Sequence, residues 1–169
     1  MSMSRKYRVG LSRAEMEELK KEFEKKKKKL DNIEREIVMA LLVEGEKIVK
    51  DTLRSYDFPY GTGELENSPT TEIEKNGKRG YIFIPEDVKH GVFVEYGTGI
   101  KGLNSPHPNP PEGWVYDVNE HGEEGWWYMD KDGEFHWTQG MPSRPFMYDS
   151  AKELRSRARD IAKGVLTND

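Results

Sequence analysis

Ser12 to Tyr56, SRAEMEELKKEFEKKKKKLDNIEREIVMALLVEGEKIVKDTLRSY, is the stretch whose reading decides the fold. Ser12 and Glu15 form the S-x-x-E capping box, in which the hydroxyl and the carboxylate each satisfy an otherwise unpaired backbone N–H of a first helical turn. Beyond it Met16, Leu19, Phe23, Leu30, Ile33, Ile37 and Ala40 fall on the a and d positions of a seven-residue repeat, with Lys26 at the one polar d site. A second stripe, Ile37, Leu41, Ile48, Val49 and Leu53, continues at helical spacing. No proline interrupts the run, and its first glycine is Gly45. The spacing predicts a helix over 12–56, ~65 Å long at ~1.5 Å per residue. That exceeds the diameter of a small domain, so the first half is expected to project, to be mobile, or to pair with another chain through a short seam. Asp31 and Glu34 repeat the capping pattern, and a break near residue 30 is the rival reading.

Outward from the helix, residues 57–68 (DFPYGTGELENS) are rich in turn formers and predict a connecting loop. Thr70–Lys75 and Arg79–Ile84, flanking Asn76-Gly77, read as a hairpin with a tight primed turn. Val88–Tyr96 (VKHGVFVEY) reads as a further strand ending at Gly97-Thr98-Gly99. Between Gly99 and Gly113 four prolines and three glycines predict a long ordered loop or an arm. Trp126–Asp130 and Glu134–Trp137 flank Lys131-Asp132-Gly133 as a second hairpin, with Trp114–Val118 as a neighbouring strand. Met147, Ala151, Leu154, Ala158, Ile161 and Val165 form the apolar stripe of a last amphipathic helix, with Pro145 in its first turn and Ser143 as its cap.

These elements predict an α+β fold, a long N-terminal helix and a C-terminal amphipathic helix packed on a twisted, mainly antiparallel sheet. The expected divisions are a loose leader over 1–11, the long helix over 12–56, and a body over 57–169 forming one domain with the second half of that helix.

In this 169-residue chain apolar residues make up 34% and charged residues another 34%, a thin apolar supply that places part of the chain outside any core. The absence of cysteine excludes disulfides, thiolate zinc sites and Cys nucleophiles, and suits synthesis in a reducing cytoplasm. Neither a signal peptide nor a membrane span is expected. The net charge of -4 hides an asymmetry. Residues 1–60 hold 15 Lys+Arg against 12 Asp+Glu, whereas residues 61–169 hold 12 against 19. An acidic body is a poor nucleic-acid surface, because phosphate contacts need clustered Lys and Arg.

The candidate chemistry is sparse. Gly97-Thr98-Gly99 lacks the Gly-Lys-Ser/Thr that opens the helix of a phosphate loop, and reads as a turn. His90, His107, His121 and His136 match no metal-ligand spacing and read as surface or strand residues, even with Glu123, Glu124 and Asp130 near. The acidic stretch 112–134 reads as a solvated surface, with docking of a basic partner as the alternative. Lys25–Lys29 read as a solvated helix face paired at i, i+4 through Glu22–Lys26 and Glu24–Lys28, with a nucleic-acid contact as the alternative. Trp114, Tyr116, Trp126, Trp127, Tyr128, Phe135 and Trp137 read as core or interface packing before base or sugar stacking. No catalytic, cofactor-binding or metal-ligating set is assigned, and the chain reads as a non-enzyme.

Val92 to Gly99 (VFVEYGTG), followed by Gly140 to Met147 (GMPSRPFM) opening the last helix, resembles the tail-component family of long-tailed bacteriophages, whose members act in head-tail joining, in the neck or in tail completion. Thr62 to Ser68 (TGELENS) is similar to that family's T-G-x-L-x-x-S. Gly113-Trp114-Val115-Tyr116 and Phe135-His136-Trp137-Thr138 are similar to members from phages of Gram-positive hosts. The resemblance runs from about residue 37 to 161 and does not cover residues 1–35. It marks Gly63, Leu65, Ser68, Phe93, Val94, Glu95, Tyr96, Gly97, Thr98, Gly99, Trp137, Pro142, Arg144, Pro145 and Phe146 as motif or interface positions, with architecture and contact surface both open as their role. It implies a homo-oligomeric ring that joins head and tail, with head-closure and tail-tube proteins as partners. The expected location is the host cytoplasm during assembly and then the virion neck or tail. The 99–113 loop and exposed strand edges are the expected ring contacts, the loop ordering on docking. A nucleic-acid-binding module using the Lys-rich helix is the alternative function, and a metal-dependent hydrolase on the acidic hairpin stands behind it.

Overall fold

The computed structural model describes residues 10, 12–56, 63–116, 124–130 and 132–167. The leader expected over 1–11 lies outside them apart from Gly10, as do residues 57–62 of the connecting loop.

Helix α1 spans Arg13–Ser55 without a break. Both halves of its capping box form: Ser12 N donates to Glu15 Oε2 at 2.7 Å, and Glu15 N donates to Ser12 Oγ at 3.3 Å. Hydrogen bonding to Ser12 holds the Glu15 carboxyl below its ordinary value. Asp31 and Glu34 do not start a new helix; they face Lys78 at 3.5 and 3.0 Å. Every residue from Ser12 to Asn32 is exposed, so about 30 Å of helix stands clear of the body at ~1.5 Å per residue. This half is called the stem below. The expected Glu22–Lys26 and Glu24–Lys28 pairs are not among the ion pairs of the described residues; a pair that does form on this stretch is Lys20–Glu17, at 3.1 Å.

The second half of α1 builds the core with helix α5, Phe146–Thr167. The two run antiparallel: Ser150 Oγ donates to Thr52 Oγ1 at 3.1 Å near one end, and Arg157 reaches Glu44 at 2.7 Å further along. Val49 and Leu53 of α1 meet Phe146 of α5, and the cluster is completed by Leu65, Val88 and Val94. Leu65 belongs to a single helical turn, α2 (Glu64–Asn67).

In place of one sheet, the described residues form two separate antiparallel hairpins. Strands β1 (Thr70–Ile73) and β2 (Gly80–Phe83) pair with Ile73 opposite Gly80. Their connection is not the expected two-residue turn: Glu74 N donates to Arg79 O, and Gly77 N to Glu74 O, closing a longer loop. Strands β3 (Trp126–Met129) and β4 (Phe135–Thr138) pair with Trp127 opposite Trp137 and Met129 opposite Phe135.

The expected strand over Val88–Tyr96 is helix α3, His90–Tyr96. Its β-branched residues suggest a strand, but the buried positions Gly91, Val94 and Glu95 recur at helical intervals, and tertiary packing overrides the local preference. Gly99–Asn104, expected to be loop, forms helix α4. Trp114–Tyr116 lie outside any strand, and residues 117 and 118 lie outside the described residues. Among the described residues no helix is long and apolar enough to cross a membrane.

Candidate functional site

The two strings that carry the resemblance meet at one junction, where α3 ends and α5 begins. A helix leaves its last carbonyls and its first N–H groups without intrahelical partners. Here each helix end satisfies the other. Arg144 N donates to Val94 O at 2.8 Å, and Ser143 Oγ donates to Glu95 O at 2.7 Å, which answers carbonyls of the last turn of α3. In return the Glu95 carboxylate accepts Met147 N at 2.8 Å and Tyr148 N at 3.1 Å, in the first turn of α5. A carboxylate there also faces the positive end of the helix dipole. Ser143, expected to cap α5 itself, is thus committed to α3, and Glu95 supplies the cap from another element.

Backbone bonds lock the rest of the junction. Thr98 and Met141 exchange N–H···O bonds of 2.9 and 3.1 Å, Lys101 N reaches Gln139 O, and Ser143 N reaches Ser105 O. These contacts leave no room for side chains at two glycines. A Cβ on Gly97, at φ +80, would lie 2.7 Å from Ser143 N, and one on Gly140, at φ +88, would lie 2.0 Å from Thr98 O.

Glu95 is 6% exposed, and its neighbour His107 is 4% exposed. Asn109 N donates to His107 Nδ1 at 2.9 Å, so Nε2 carries the proton and donates to Glu95 Oε1 at 3.1 Å. Tyr96 and Tyr148 stand edge-on to the imidazole, at 4.8 and 5.2 Å between ring centres. His107 is therefore a buried structural group, which corrects the surface reading; a histidine between Pro106 and Pro108 in a loop was the one available signal. The dyad spends its polar atoms inside the protein, so its chemistry is that of a cap. Tyr56, packed against the same core, has its phenol pushed above its ordinary value by burial first and then by Asp149 and Glu95.

Of the motif positions, Phe93, Val94, Glu95, Tyr96, Gly97, Thr98 and Gly99 come together with Pro142, Arg144, Pro145 and Phe146. Leu65 joins the core below them. Gly63, at φ +76, starts α2, and Ser68 Oγ closes that turn on Leu65 O at 2.9 Å. Thr62 lies outside the described residues. Trp114 packs its ring on Tyr96, and Tyr116 O accepts Gly99 N, which ties the 99–113 segment to the junction in place of a free arm. Trp137 stands apart, 49% exposed on the second hairpin.

That hairpin holds an ionisable group that sequence spacing did not single out. Asp130, Glu134 and His136 bring potential ligand atoms within 4.8 Å of one another. Asp130 Oδ1 accepts Asp132 N and Glu134 N, each at 2.9 Å, and Oδ2 faces His136 Nε2 at 2.8 Å. Those bonds close the turn, and the His136 contact first, then the Glu134 N–H, hold the Asp130 carboxyl below its ordinary value. Two grooves among the described residues are apolar. One of about 490 Å³ lies between Leu42, Ile82 and Leu154, and another of about 610 Å³ between Ile84, Val92 and Phe146.

Comparison with protein-family models, with curated proteins and with solved structures gave no match for this chain.

Proposed function

We propose that this protein is a structural component of the head-tail junction of a long-tailed bacteriophage, a neck or tail-completion subunit that works by assembling with copies of itself into a ring. The observation that carries the assembly reading is large apolar surface left on the outside: Phe23 and Leu30 on the stem, and Trp127, Met129 and Phe135 on the hairpin, are each more than 60% exposed. An arrangement of this kind binds protein. Resemblance of VFVEYGTG and GMPSRPFM to the phage tail-component family supplies the class of assembly. The interlocked helix ends at Glu95 give those strings a physical reason to occur together. On this reading the motif is architecture that holds the body rigid, while stem and hairpin make the contacts. The subunit performs no catalysis, and its partners beyond its own copies are head-closure and tail-tube proteins.

Immunogold labelling of phage particles released by the cells that encode the protein tests the reading. Gold at the junction of head and tail is expected. Label confined to the cell lysate, with particles bare, overturns it.

The basic stem supports a second reading, a nucleic-acid contact. Lys25 to Lys28 are exposed and have no carboxylate in ion-pair range among the described residues. Binding that weakens steeply with salt and with neutralisation of those lysines would favour it.

A further inference from the structure

The two exposed apolar surfaces differ in charge. Cross-strand pairing and strand alternation put Trp127, Trp137, Met129 and Phe135 on one face of the second hairpin. They are 62%, 49%, 62% and 68% exposed, and the two indoles touch edge to face at 5.6 Å between ring centres. The carboxylates of Glu124 and Asp132, at the two ends of the hairpin, are exposed, while Glu134 gathers with Asp130 and His136 on the opposite face. On the stem, Phe23 and Leu30 are 64% and 65% exposed, and the run Lys25–Lys29 lies between them. Seven residues apart, Phe23 and Leu30 share one side of the stem, with Lys26 and Lys27 flanking that side.

We propose that the stem of one copy lies across the aromatic face of the second hairpin of the next copy, Phe23 and Leu30 against the tryptophans, and the lysines against the carboxylates at its ends. This deepens the assembly reading above and rests on it. The occupant is another copy, because α1 is unbroken from Arg13 to Ser55 and its stem cannot fold back onto its own body. Charge selects stem on hairpin over like on like. An in-register parallel stem pair sets the two lysine runs together with Lys26 in the seam, and a hairpin pair sets carboxylate against carboxylate. A contact between two different faces leaves one stem and one hairpin unused at the ends, and these meet to close a ring when the rotation from copy to copy divides a full turn.

Nuclease-treated full chain, followed by sedimentation, tests this with two variants. Phe23→Asp with Leu30→Asp removes the stem surface; Trp127→Ser with Phe135→Ser removes the hairpin surface. All four positions are exposed, so far-UV circular dichroism and thermal midpoint should match the parent. The parent is expected to form oligomers that dissociate as salt rises. Each variant alone is expected to be a monomer, and their equimolar mixture a heterodimer that grows no further. Self-association of the hairpin variant alone, which would mean stem on stem, overturns the proposal, and so does a mixture that stays monomeric. A charge-swapped pair, Lys26→Glu with Lys27→Glu against Glu124→Lys with Asp132→Lys, serves should a serine variant fold poorly: each alone is expected to be a monomer, and their mixture, in which both contacts are again complementary, to regain the parent's oligomers. Rings that persist in both variants sink this contact and leave the ring standing. Heterodimers from a chain whose parent forms only open filaments sink the ring and leave the contact.

Discussion

The Glu95 carboxylate accepts the backbone N–H of Met147 at 2.8 Å across a sequence separation of 52 residues. That bond makes the first turn of α5 depend on the last turn of α3, and the reverse dependence runs through Arg144 N and Ser143 Oγ. A helix-end cap supplied by its own chain neighbour stabilises one element, whereas this one fixes the relative placement of two.

Glu95→Ala removes a buried acceptor from Met147 N, Tyr148 N and His107 Nε2 at once. Stranding buried donors costs ~1–3 kcal/mol each in the least favourable case, and relaxation recovers part of it, so a loss of about 3 kcal/mol is expected. Glu95→Gln keeps one oxygen and should lose roughly half as much. Urea denaturation of both variants measures this; equal losses would show that the one oxygen Gln retains contributes nothing, and would contradict the expected halving.

Backbone crowding makes Gly140→Ala severe. Its Cβ would meet Thr98 O at 2.0 Å with φ at +88, whereas Gly133, at φ +84, has open space around it. Gly133→Ala should cost only the left-handed penalty of about 1–2 kcal/mol. Gly140→Ala should exceed ~3 kcal/mol, because backbone must move to admit the methyl group. Similar thermal midpoints for the two variants would refute the crowding argument.

At the second hairpin acid should act locally. The Asp130 carboxyl lies below its ordinary value chiefly through His136 and then the Glu134 N–H. A lowered folded value contributes stability that is present above the unfolded value of about 3.9 and is lost as pH falls through the folded one. Tryptophan fluorescence of the hairpin should therefore change on acidification below about pH 4. Asp130→Asn, which removes the titrating group, should flatten that change, and an unaltered acid profile in the variant would locate the transition elsewhere.

The long helix was legible because its cap, its uninterrupted run and its a/d repeat agree, and the last helix because its stripe has strict spacing. Both hairpins were legible from their turn residues, although the first loop is longer than Asn76-Gly77 implies. Val88–Tyr96 misled because valines alternate with other residues there, while the buried face is defined by Gly91, which has no side chain to signal it. The junction was out of reach for a related reason. Glu95 in a motif reads as an exposed acid, and only the fold brings His107, Met147 and Tyr148 to it.

Since the first turns of α1 are exposed and, among the described residues, the stem meets the body only near its base through Asp31 and Lys78, the cap should matter only locally. Ser12→Ala deletes the acceptor for Glu15 N, worth about 1 kcal/mol in a helix end. Amide exchange over the first turns of α1 should accelerate several-fold, with the thermal midpoint of the protein unchanged. A fall in that midpoint would show that stem and body unfold together.

Electron microscopy of the purified full chain at high concentration puts the central claim to its most direct test. Class averages are expected to show closed rings of repeated subunits, each stem reaching its neighbour. A field of isolated monomers at every concentration, in low salt, would contradict the account.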